Sequence, residues 1–106
     1  MSTERKRLPS RRLSETFSHE FAVLRYTVSF SRFADGTLAE TFLQNHKRGN
    51  ASDVAVRDAG ILLSFCLQYG CPVETISRAL SRNADGSASG VMAAVLDAIT
   101  KQYKVI

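Results

Sequence analysis

The run from Ala22 to Phe33, Ala-Val-Leu-Arg-Tyr-Thr-Val-Ser-Phe-Ser-Arg-Phe, followed by Ala34-Asp35-Gly36, constrains this chain more than any other stretch. Tyr26, Val28 and Phe30 alternate with Thr27, Ser29 and Ser31, the period-two signature of a strand with one buried face. β-branched and aromatic side chains dominate, and these suit a pleated, half-buried surface. Asp35-Gly36 then supplies a tight turn, because glycine takes positive φ at little cost. The return strand runs from Thr37 to about Asn45, with Leu38 and Phe42 on one face and Leu43 on the other. A two-residue turn and a three-residue turn with a bulge differ by one residue in register and exchange those faces; the sequence leaves both open. A lone hairpin is marginal in water. Its apolar face must lie on the helices that follow or pair with another chain.

Those helices carry clear punctuation. His46 to Asn50 is polar and ends the hairpin. Asn50 or Ser52 can cap a helix whose first turn holds Asp53, favoured by the helix dipole. The helix runs from about Ser52 to Tyr69. Between Ala59 and Leu67 it is apolar almost all round, which predicts a central, buried helix. Gly70 stops it, and Pro72 starts the next helix at its first position. Val73, Ile76 and Leu80 form that helix's apolar stripe, which ends by Arg82-Asn83. Asp85-Gly86 marks a loop, and a last helix begins between Ser87 and Gly90, with Val91, Met92, Val95, Leu96, Ile99 and Tyr103 on the 3.6-residue period. No internal repeat is visible. The expected fold is α+β: an N-terminal β-hairpin packed on a three-helix unit.

Charge divides the chain differently. Arg5, Lys6, Arg7, Arg11 and Arg12 face one acid, Glu4, within the first twelve residues, and this accounts for the whole net charge of +4. The other 94 residues carry nine bases and nine acids. Residues 1–12 therefore read as a basic, partly flexible arm, and 13–106 as a single domain of ordinary size. Five cations with few apolar neighbours attract phosphate in a salt-dependent, sequence-blind way. Arginine's planar fork suits that task. Lys47 and Arg48, just before the long helix, form a second candidate anion site. A solvated tail and an exposed basic turn are the plainer readings of the same residues.

Other chemistry finds little support. No stretch approaches the roughly 18 apolar residues of a membrane span, and no apolar segment follows the basic start as in a secretory signal. Glu4, Glu15 and Glu20 argue against a transit peptide, so the expected location is the cytoplasm. Cys66 sits in an apolar run and reads as a small core hydrophobe. Cys71 follows Gly70 at a chain reversal, and the C-x4-C spacing lacks further ligands, so no metal site is expected. His19 and His46 are isolated, and Asp53 and Asp58 lie on different helix faces. No catalytic residue is assigned.

Four strings resemble the TSCPD domain: Leu8-Pro9-Ser10-Arg11-Arg12, Asp35-Gly36 followed by Glu40-Thr41-Phe42, Leu67-Gln68-Tyr69-Gly70-Cys71-Pro72-Val73-Glu74, and Val95-Leu96-Asp97-Ala98-Ile99. The resemblance covers about residues 8–100. That domain lies near the C-terminus of adenosylcobalamin-dependent ribonucleotide reductases and also occurs in short standalone proteins. The resemblance implies an association with deoxyribonucleotide synthesis, not catalysis. In the large reductases the radical and cysteine chemistry lies in a separate barrel domain, so no catalytic residue and no cofactor carries over to these residues. The implied role is a small binding module. Its expected partners are a reductase catalytic subunit, a nucleotide or nucleic acid at the arm, and a second copy of the chain. The alternative is a nucleotide- or nucleic-acid-binding regulator acting through Arg5, Lys6, Arg7, Arg11 and Arg12.

Overall fold

The computed structural model describes residues 2–46 and 51–103. Three antiparallel strands, β1 (Glu15–Phe21), β2 (Leu24–Arg32) and β3 (Leu38–Asn45), form one sheet in that order. Three helices follow: α1 (Ala51–Gln68), α2 (Val73–Ala79) and α3 (Val91–Gln102). The architecture is α+β, and the expected hairpin is the second half of a three-stranded meander.

The β2–β3 register is now fixed. Gly36 stands at φ +91°, its N–H bonds to Phe33 O at 2.9 Å, and Phe33 N–H bonds to Thr37 O at 2.8 Å. This is the longer turn with a left-handed glycine, and the register shifts at Ser31/Arg32. Val28 therefore pairs with Leu43 and Phe30 with Thr41, so Leu43 faces the core while Phe42 faces out. The same turn recurs at Ala84-Asp85-Gly86-Ser87. In both, the aspartate Oδ1 accepts the N–H at 2.9 Å and the hydroxyl at 2.6 Å from the residue two positions on. Those bonds hold the Asp35 and Asp85 carboxyls below their ordinary pKa.

The β1–β2 turn is chemically unlike these. Ala22 and Val23 sit at φ +50° and +62°, a left-handed conformation that costs roughly 1–2 kcal/mol per non-glycine residue. Ala22→Asn with Val23→Gly is expected to raise stability by about 1–2 kcal/mol. Urea unfolding measures it, and an unchanged midpoint counts against the strain.

Val28, Phe30, Val95, Leu96 and Ile99 are at most 1% exposed and form the centre of the core between sheet and α3. Phe17 packs against it, its ring 5.1 Å from that of Tyr103. The central-helix expectation for α1 is half right. Val56, Leu63 and Leu67 are buried, but Val54, Ile61, Leu62 and Phe65 are exposed, and so is Cys66, which is not a core residue. The reason is the position of α1. It lies along the free edge of β3 and not across a face of the sheet. Gly60, Ser64 and Gln68 recur every four residues, with Asp53 seven before Gly60, and so form one line on the helix. Asp53 Oδ1 accepts the Asn45 N–H at 3.2 Å, and Ser64 Oγ accepts the Thr41 N–H at 3.0 Å. Gln68 Nε2 donates to Ala39 O at 3.2 Å. Side chains of α1 thus replace the missing fourth strand. The β3 edge is thereby covered by α1.

A Schellman motif ends α1. Gly70, at φ +93°, bonds through its N–H to Leu67 O at 3.1 Å, and Cys71 N–H bonds to Cys66 O at 3.0 Å. Between α2 and α3, Arg82 clamps Asp97 through both guanidinium amines, at 2.6 and 3.0 Å, and also reaches Ser77 Oγ at 2.7 Å. The Arg82 hydrogen bonds hold the Asp97 carboxyl below its ordinary pKa. A depressed native pKa contributes stability that is present above the unfolded value, near 3.9, and is lost as pH falls through the native one. Asp97→Asn is expected to lower stability at pH 7 and to flatten its decline below about pH 4. Urea titrations at several pH values measure this; an unaltered acid limb in the variant contradicts it.

Among the described residues, no helix is long and apolar enough to cross a membrane.

Candidate anion-binding site

The arm lies against the body. Ser2 N–H donates to Tyr69 O at 2.8 Å and Lys6 N–H to Gln68 O at 2.7 Å. Carbonyls at the end of a helix have no partner within it, and the arm's backbone pairs the two, Gln68 and Tyr69, that the Schellman motif leaves open. Arg5 Nε donates to Gln68 Oε1, and its guanidinium stands 4.8 Å from the centre of the Phe65 ring. The Lys6 ammonium stands 4.2 Å from the centre of the Phe33 ring. Both are cation–π distances.

Arg12 is committed to a carboxylate. Its Nε and Nη2 meet the two Glu40 oxygens at 2.7 and 3.0 Å, a bidentate fork, and Nη1 donates to Pro9 O at 2.6 Å. Burial pushes the Glu40 carboxyl up and is the largest single influence, but the hydrogen bond and charge of Arg12, with smaller contributions from Ser31 and Arg5, together outweigh it and the net pKa is lowered. Glu40 lies on the outward side of β3 and is 6% exposed because Arg12 covers it.

Beyond Arg12 the chain folds around a cleft of about 520 Å³, whose charged lining is Lys6, Arg7, Arg11, Arg12, Glu15 and Arg32. Arg12 answers Glu40, and Arg32 answers Glu15 at 3.1 Å. Lys6, Arg7 and Arg11 form no salt bridge among the described residues, although the Lys6 charge helps to hold the Asp35 carboxyl below its ordinary pKa. These are the cations of the cleft without a salt bridge, and three cations around one concavity suit a multiply charged anion such as a polyphosphate. Arg5 points away, into a smaller cleft of about 110 Å³ that it shares with Arg7, Arg12 and Glu40. The structure thus brings Lys6, Arg7, Arg11 and Arg12 to one site and sets Arg5 beside it. Lys47 and Arg48 lie outside the described residues.

Arg32 is a lining residue that sequence reasoning missed. It donates to Tyr103 O at 2.7 Å, and its Nε is buried with no hydrogen-bond partner. In the sequence it counts with the neutral body, and no local pattern shows that the arm crosses the end of its strand.

A second cleft, of about 550 Å³, sits where the arm crosses the string Leu67 to Glu74. Glu4, Lys6 and Glu74 give its wall both signs of charge, so it shows no preference for anions. Cys71 lines it and is half-buried. Among the described residues, no three His, Cys, Asp or Glu side chains come together as a metal site.

Comparison with known proteins gives this geometry a setting. The TSCPD domain model matches residues 4–103. A vitamin B12-dependent ribonucleotide reductase of Agrobacterium fabrum is 34% identical over 74 residues, which is 70% of this chain and 6% of the relative. The chain therefore spans a small fraction of that relative's length. No solved structure matches. Clefts of about 550 Å³ take a drug-sized ligand. The family model spans almost the whole chain, and this chain belongs to the TSCPD domain family.

Proposed function

We propose that these residues act as a small, noncatalytic binding module of ribonucleotide reduction, docking onto a reductase catalytic subunit. The observation that carries this reading is the likeness to a B12-dependent ribonucleotide reductase, confined to 6% of that enzyme's length. A segment that small contributes recognition or positioning, not the radical chemistry. The full chain, immobilised, is expected to retain a purified B12-dependent catalytic subunit reversibly. No retention at micromolar concentrations of both overturns the proposal.

A second reading has its own support. Lys6, Arg7 and Arg11 converge on one cleft without a salt bridge among the described residues, which favours a nucleotide or nucleic-acid phosphate as ligand. Affinity for inorganic triphosphate or a short oligonucleotide is expected to fall steeply with salt. Replacing all three residues by Ala should weaken it at least tenfold and flatten the log–log salt slope by up to about three. Calorimetric titration at several salt concentrations tests this. Equal affinity and slope in the triple variant end it.

A further inference from the structure

We propose that α1 pairs antiparallel with α1 of a second copy, about a two-fold axis passing between Ile61 and Leu62. At 100° per residue, Val54, Asp58 and Phe65 lie within about 40° of one line along the helix, with Ile61 and Leu62 on either side of it. Val54, Ile61, Leu62 and Phe65 are 52%, 45%, 66% and 43% exposed, and Phe42 of β3 extends the patch at 42%. Phe42 and Ile61 share the wall of one surface cleft and, with Phe65, of another, so the patch is continuous. A contiguous apolar stripe of this kind marks an interaction face.

Charge names the occupant. Asp58 lies on the stripe, is exposed, and has no ion pair among the described residues. Seven residues on, about 10 Å along the helix axis, Phe65 carries the Arg5 guanidinium 4.8 Å from its ring centre. Asp58 and Phe65 are equidistant from the point between Ile61 and Leu62. Reversing the helix about that point sets each Asp58 against the other copy's Arg5 and Phe65, and the apolar pair at the centre against itself. A two-fold interface needs such self-complementarity, and an unrelated apolar partner would not require it.

Sedimentation equilibrium of the full chain is expected to show a monomer–dimer equilibrium within about 1–100 µM, the range for an interface at the small end of stable ones. Leu62→Glu should give a monomer of unchanged circular dichroism and Tm. Asp58→Arg alone and Arg5→Glu alone should each weaken association about tenfold, and the two together should restore it. A wild-type chain that stays monomeric at 100 µM, a dimer that survives Leu62→Glu, or a double variant that fails to recover each overturns the proposal. So does a wild-type monomer whose α1 stripe, on Leu62→Glu, proves necessary only for retaining the reductase subunit.

Discussion

Gly60→Ala is expected to destabilise the protein by about 2 kcal/mol and to lower Tm by about 10 °C. Helix propensity alone gives the opposite sign, since Ala in a helix interior is favoured over Gly by about 1 kcal/mol. Packing decides the outcome. A Cβ at Gly60 would stand 2.9 Å from Thr41 O and 3.3 Å from the Phe42 Cα. Both atoms are backbone, so no side chain can swing aside. Either α1 lifts from the edge of β3 or the strand bends, and each weakens the hydrogen bonds from Asp53, Ser64 and Gln68 along the same line. Thermal unfolding measures the change. A variant as stable as the parent would mean that α1 does not seat at this depth.

Ser64→Ala makes the companion case and should cost about 2 kcal/mol. Its hydroxyl accepts the Thr41 N–H and lies within donating reach of Thr41 O at 3.1 Å and Gly60 O at 2.8 Å. Ser64 is 5% exposed and Thr41 is fully buried, so water cannot replace the lost partner. An unsatisfied buried donor costs about 1–3 kcal/mol, which outweighs the few tenths gained in helix propensity. Urea unfolding gives the value. Gly60→Ala and Ser64→Ala act on the same strand residue, and their double variant is expected to be less destabilised than the sum of the two. Additive costs would mean that the contacts are independent.

These two residues also show where the sequence stopped being legible. Period-two alternation revealed β2, the Asp35-Gly36 turn announced its return strand β3, and Gly70-Cys71-Pro72 marked the junction of α1 with α2, because those signals are local. Strand β1 has the same alternation, with Phe17, His19 and Phe21 turned toward the protein against Thr16, Ser18 and Glu20. It escaped notice because Ala22-Val23 lacks the Asn or Gly that announces a hairpin. The apolar density of α1 masked its polar line, Asp53, Ser64 and Gln68, whose meaning depends on a strand edge that only the fold supplies. For the candidate site, the identities of the arm cations were plain in the sequence. Their division was not: Arg12 is answered by Glu40, 28 residues away, and Arg32 joins from β2.

The rail that α1 lays along β3 has a consequence for how the chain is made. Synthesis delivers Asn45 some 23 residues before Gln68, and at 5–20 residues per second roughly one to five seconds separate them. For that interval the meander exists with the backbone groups of Ala39, Thr41 and Asn45 bare, and a neighbouring nascent strand can add to them. Refolding of the finished chain has no such window. Losses during expression should therefore exceed losses on refolding, and should rise in variants that delay the seating of α1.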